Sequence, residues 1–138
     1  MTKICTDLQQ SKRLIKLGID INTANMYWKR SNFNGDSSWK YHIKRAAFPM
    51  EFFKSKDYVP AWSADALSNL LPPYLFEFER GIDLNIYPNL NGKGWHCSYM
   101  PNCIENMKKD KFKQITNGAT IIDAMFEMII RLHELNLL

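Results

Sequence analysis

ATIIDAMFEMIIRLHELNLL, residues 119–138, is the stretch on which the reading of the fold turns. At 3.6 residues per turn, Ile121, Met125, Met128, Ile129, Leu132 and Leu135 share one broad apolar face, and Asp123, Glu127, Arg131 and Glu134 lie opposite. Glu127 precedes Arg131 in the order that favours an ion pair one helical turn apart. Thr120 with Asp123, just behind Gly118, forms a capping pattern at the start. Phe126 and Ile130 spread the apolar surface beyond a single face, which offers a contact for a partner or a second copy. A helix of this kind has to be covered. It is therefore expected to be the central buried element of one domain spanning residues 1–138.

Outward from that helix, the chain reads as helix, hairpin, helix, hairpin, helix. The first helix starts at Thr6, with Gln9 completing a capping box, and stops at Gly18, where Ile19 closes a Schellman ending. Leu8, Leu14, Ile15 and Leu17 supply its buried side, and Lys12, Arg13 and Lys16 face water. Thr23 caps a single turn. Residues 26–30 and 39–43 form a hairpin across the Asn34-Gly35 turn. Alternation puts Trp39, Tyr41 and Ile43 on one side of the second arm and Lys40 and His42 on the other. Pro49 interrupts any helix in 46–58, where Phe48, Phe52 and Phe53 require cover. Ser63 caps a helix carrying Leu67, Leu70 and Leu71 inward, and Pro72-Pro73 ends it. Residues 84–87 and 95–100 flank the turn-rich PNLNGKG as a second hairpin, and the lysines at 108, 109, 111 and 113 fall in a mobile loop. No strand alternates with crossover helices. The fold class is α+β: a small antiparallel sheet of two hairpins packed on the long C-terminal helix, with two shorter helices.

With 138 residues the chain is large enough for a real core, and 46% hydrophobic against 23% charged residues excludes a disordered protein. Apolar runs fall far short of the roughly 20 residues that span a bilayer, and the N-terminus turns polar at once. A cytoplasmic protein without membrane contact is expected. Three scattered cysteines, Cys5, Cys97 and Cys103, fit reduced thiols rather than a disulfide framework. A net charge of +4 permits contact with nucleic acid without demanding it.

No motif for catalysis, a metal or a cofactor emerges. His96-Cys97 with Cys103 lacks the paired soft ligands of a zinc site, and adjacent strand residues point to opposite faces. Cys97 with His42 or His133 carries no local mark of an activated thiol, and Glu77 with Glu79 reads as a solvated strand face. The G-x-G of Gly92-Lys93-Gly94 opens no helix, so it does not cradle phosphate. What remains is a basic and aromatic mixture from Tyr27 to Arg45, with Trp28 and Lys40 in it. Lys29, Arg30, Trp39, Tyr41, Lys44 and Arg45 are its candidate nucleic-acid contacts, because aromatic platforms beside cations bind single strands. The bland alternative, which is the expectation here, buries Trp28, Trp39 and Tyr41 as the inner face of a hairpin with the lysines in water.

Three stretches, TDLQQSKRLIKLGIDINTANMYW, VPAWSADALSNLLP and the terminal helix, resemble small uncharacterised proteins of gut anaerobic bacteria, their bacteriophages and integrated mobile elements. The shared elements here are Ser11 to Gly18, Pro60 to Ser63 and Ala119 to Leu138. The resemblance carries no activity with it and implies an accessory protein of a mobile element. The expected function is thus a non-enzymatic accessory or protein-interaction module, acting through an unknown protein partner or self-association. Nucleic-acid binding through the basic aromatic surface is the alternative.

Overall fold

The computed structural model describes residues 3–31, 38–73, 83–100 and 114–138. The expected Asn34-Gly35 turn, the Glu77/Glu79 pair, Cys103 and the lysines of 108–113 lie outside the described residues. The chain divides into two compact units, Ile4–Ala66 and Met1–Lys3 with Leu67–Leu138. The class is α+β, with two antiparallel three-stranded sheets where one sheet was expected.

The Ile4–Ala66 unit begins with α1 (Leu8–Lys16). Its capping box is formed by Asp7 and Gln10, not by Thr6 and Gln9 as the sequence had pointed to. Thr6 is instead buried and ties three segments together. Its backbone N–H donates to the Trp62 carbonyl at 2.9 Å, and its Oγ1 accepts from the Trp62 N–H at 3.1 Å and lies 2.7 Å from Ser11 Oγ. The helix ends as expected. Gly18 takes a φ of 89°, and the Gly18 and Ile19 N–H groups close on Ile15 and Leu14, the two bonds of a Schellman motif. Leu14 is fully buried, whereas Ile15, expected inside, is exposed.

A short 3-10 turn (Ile21–Thr23) leads to β1 (Met26–Arg30), which pairs antiparallel with β2 (Trp39–Ile43) in the register Tyr27↔His42, Trp28↔Tyr41, Lys29↔Lys40 and Arg30↔Trp39. These are the bounds the hairpin was expected to have. A second 3-10 turn (Met50–Lys54) follows, and then β3 (Tyr58–Ala61) pairs with the other side of β1, giving the order β2-β1-β3. This third strand is not apparent in the sequence, because Pro60 argues against a strand and only four residues take part. Cys5, Met26 and Ala61 form a buried cluster on one face, with Trp28 against it. Trp28 donates from Nε1 to the Thr6 carbonyl at 2.9 Å, and the fully buried Trp62 donates to Thr23 Oγ1 at 2.9 Å. Ser63 accepts from the Ala66 N–H at the start of α2 (Ala64–Leu70), in the capping role expected of it.

In the other unit β4 (Asp83–Pro88), β5 (Trp95–Met100) and β6 (Gln114–Gly118) form the sheet β4-β5-β6. The second hairpin is therefore present, and β6 adds a strand the sequence reading lacks. Leu90, in the β4–β5 turn, stands wholly in solvent. The terminal helix α3 (Ile121–Glu134) is capped by Thr120, which accepts from the Asp123 N–H, as its sequence predicts. It packs on β5 and β6, and Thr116 Oγ1 donates to the Ala124 carbonyl at 2.8 Å to fasten the sheet to it. Met125, Met128, Ile129 and Leu132 are buried, and so are Ile122, Phe126 and Ile130. The apolar surface offered by Phe126 and Ile130 is thus already covered within one chain. Arg131 reaches Gln114 Oε1 at 3.4 Å rather than the Glu127 expected as its partner.

Candidate functional site

Because antiparallel partners project to the same side of a sheet, the register of β1, β2 and β3 sorts the basic aromatic segment into two faces. One face carries Met26, Trp28 and Arg30 with Trp39, Tyr41 and Ile43. Here Trp28 meets Tyr41 edge-on at 5.6 Å, and the Arg30 guanidinium lies 4.8 Å over the Trp39 ring. Arg30 also stands 3.9 Å from Asp57. The expectation that Trp28, Trp39 and Tyr41 line a buried hairpin face is corrected. Trp28 and Trp39 are half-buried, while Tyr41 is 48% and Ile43 72% exposed. The cause is position. β2 is an edge strand, and on this face the buried cluster takes in Met26 and Trp28 of β1 and Ala61 of β3 but no residue of β2.

The other face carries Tyr27 and Lys29 from β1, Lys40 and His42 from β2, and Tyr58 from β3. Tyr27 and His42 are stacked, 5.2 Å between centroids and 22° between planes. Phe48 lies 4.5 Å from Tyr27, and Lys29 sits 5.7 Å over the Tyr58 ring. His42, Lys29 and Lys40 are exposed. Two shallow cavities open on this face and meet at His42. One, of about 470 Å³, is lined by Tyr27, His42, Ile43, Arg45 and Phe48; the other, of about 510 Å³, by Lys29, Arg30, Lys40, His42, Asp57 and Tyr58.

The six candidate residues therefore do not form one site. Lys29 and Arg45 belong to the stacked face, Arg30, Trp39 and Tyr41 to the reverse. Lys44 bonds through its backbone to Asn25, and its ammonium lies 3.9 Å from Met50 Sδ, where burial lowers its pKa against the pull of Asp20. Tyr27 and Lys40 belonged to the basic aromatic mixture but not to the six, and His42 and Tyr58 were not candidates, although the two-residue alternation from Tyr27 to Lys29 and from Lys40 to His42 carries the signal for all but Tyr58.

No family model, curated protein or solved structure matches the chain.

Elsewhere among the described residues the chemistry is quiet. Cys97 is fully buried, and burial pushes its thiol up to about 12, so it is protonated at neutral pH and no nucleophile. Among the described residues no three His, Cys, Asp or Glu side chains gather to hold a metal ion, and no helix is long and apolar enough to cross a membrane.

Proposed function

We propose that this chain binds single-stranded nucleic acid, without catalysing a reaction on it, through the Tyr27/His42 face of its N-terminal sheet. The observation that supports this most is the stacked Tyr27–His42 pair, half-buried at Tyr27 and exposed at His42, beside Lys29, Lys40 and Arg45. A flat aromatic surface ringed by cations takes up bases by stacking and phosphates by charge, with little demand on sequence. Charge distribution favours the same unit. Residues 4–66 hold ten lysines and arginines against six acids, a surplus of +4 that equals the net charge of the whole chain. The resemblance to small proteins of bacteriophages and mobile elements is compatible with an accessory role of this type. Titration of fluorescein-labelled dT and U dodecamers at low salt, read by anisotropy, is expected to show saturable binding. Absence of binding to either oligomer removes the proposal.

A second reading, a protein-interaction or self-association module, draws on the reverse face, where Tyr41 and Ile43 are exposed side by side on the edge strand. Light scattering of the native protein and of Ile43→Lys tests it. A dimer lost in the variant favours this reading, and a monomer in both excludes self-association.

A further inference from the structure

We infer that the stacked face is bipartite, with a base site on the Tyr27/His42 rung and a phosphate site on the Lys29/Lys40 rung, so that its elementary ligand is a single nucleotide unit. This deepens the single-strand reading and rests on it.

Three observations carry it. First, Lys29 and Lys40 are direct cross-strand partners on an exposed face. Like charges placed opposite one another in a sheet are destabilising. Asp57, the one acid among the described residues lining this cavity, stands 3.9 Å from Arg30, and two lysines remain against it. An anion held by both ammonium groups would relieve the repulsion. Second, this rung follows the Tyr27/His42 rung on the same face after one pleat repeat, about 6.8 Å along the strands. That is the scale of the step from a base to its own phosphate. Third, the two cavities share His42 as a common wall, and at about 470 and 510 Å³ each lies in the size range of small-ligand sites. The first cavity is walled by the Tyr27, His42 and Phe48 rings with Arg45 beside them, and the second by three cations, Lys29, Arg30 and Lys40, against the one carboxylate of Asp57, with Lys29 steadied over Tyr58. A base suits one and a phosphate the other.

The test uses the full chain, 15N-labelled, titrated separately with inorganic phosphate, adenosine and adenosine monophosphate at millimolar concentrations. Phosphate alone is expected to move the amide signals of Lys29 and Lys40, adenosine those of Tyr27 and His42, and the nucleotide both sets. The nucleotide is expected to bind roughly tenfold tighter than adenosine, the size of one charge-assisted contact. Lys40→Gln should abolish that advantage and, because it removes the repulsion, melt at the same or a higher temperature than the parent without ligand. Equal affinity for nucleotide and adenosine, or a Lys40→Gln variant that keeps the advantage, overturns the phosphate site. If the dodecamers still bind in that case, single-strand binding survives without it. If they do not, both readings fall together.

Discussion

At position 118 an added Cβ would lie 2.4 Å from the Ala124 nitrogen and 2.6 Å from the Asp123 Cβ, both in the first turn of α3. Those distances are far inside contact, and backbone cannot swing aside as a flexible side chain does. Gly118→Ala is therefore expected to cost about 3 kcal/mol or more, the upper end of overpacking penalties, seen as a lower urea midpoint. A near-native midpoint would show that α3 can retreat from β6. Cys97 gives a different handle. With its folded-state pKa raised from 9.0 to about 12, the unfolded chain loses this proton first as the solution turns alkaline. The sign is negative: unfolding free energy is complete below pH 9 and falls as pH climbs toward 12. Denaturation at several alkaline pH values should show this slope, and Cys97→Ala should flatten it between pH 9 and 10, above which the Tyr99 hydroxyl, also pushed up by burial, adds a slope of the same sign.

Among the elements, β2 contributes to both of the proposed contact surfaces. Its two faces alternate residue by residue, so substitutions one position apart have different consequences. Tyr27→Ala and His42→Ala are expected to weaken oligonucleotide binding roughly five- to hundredfold, the worth of one stacked base. Tyr41→Ala, on the reverse face, should leave affinity within about twofold if the stacked face is what carries the 1–3 kcal/mol per base. Equal losses from both faces would dissolve the distinction. This is also where sequence reading ran out. Most helix ends were legible because their signals are local, Gly18 for the Schellman turn and Thr120 and Ser63 for the caps, while the start of α1 was read one residue early, at Thr6 instead of Asp7. Both hairpins were legible from alternation between turns. Alternation, however, states which side chains travel together and is silent on which side is covered. Trp28, Trp39 and Tyr41 looked like an interior trio, and only the place of β2 at the sheet edge leaves Tyr41 exposed and Trp39 half-buried. β3 and β6 escaped for a related reason. With Pro60 in one and a single large apolar residue, Ile115, in the other, neither has a pattern until β1 and β5 provide a ladder to join.

At the scale of the whole molecule, the +4 surplus resides in residues 4–66, leaving the remainder of the chain balanced. On the proposed single-strand reading, salt dependence would report on a small number of phosphate contacts. If Lys29, Lys40 and Arg45 are the ones engaged, the logarithm of the binding constant should fall with that of salt concentration at a slope of about −2, from roughly −0.7 per single-strand contact. A slope near zero would argue for stacking alone, and one much steeper for a wider footprint. The β4–β5 turn matters here for a practical reason. Asn89 closes it by bonding to Gly94 and accepting from Gly92, while Leu90 contributes nothing to any core. A fluorophore or short epitope installed at residue 90 should therefore leave strand pairing intact, so that the chain itself can carry the reporter by which its partners are sought.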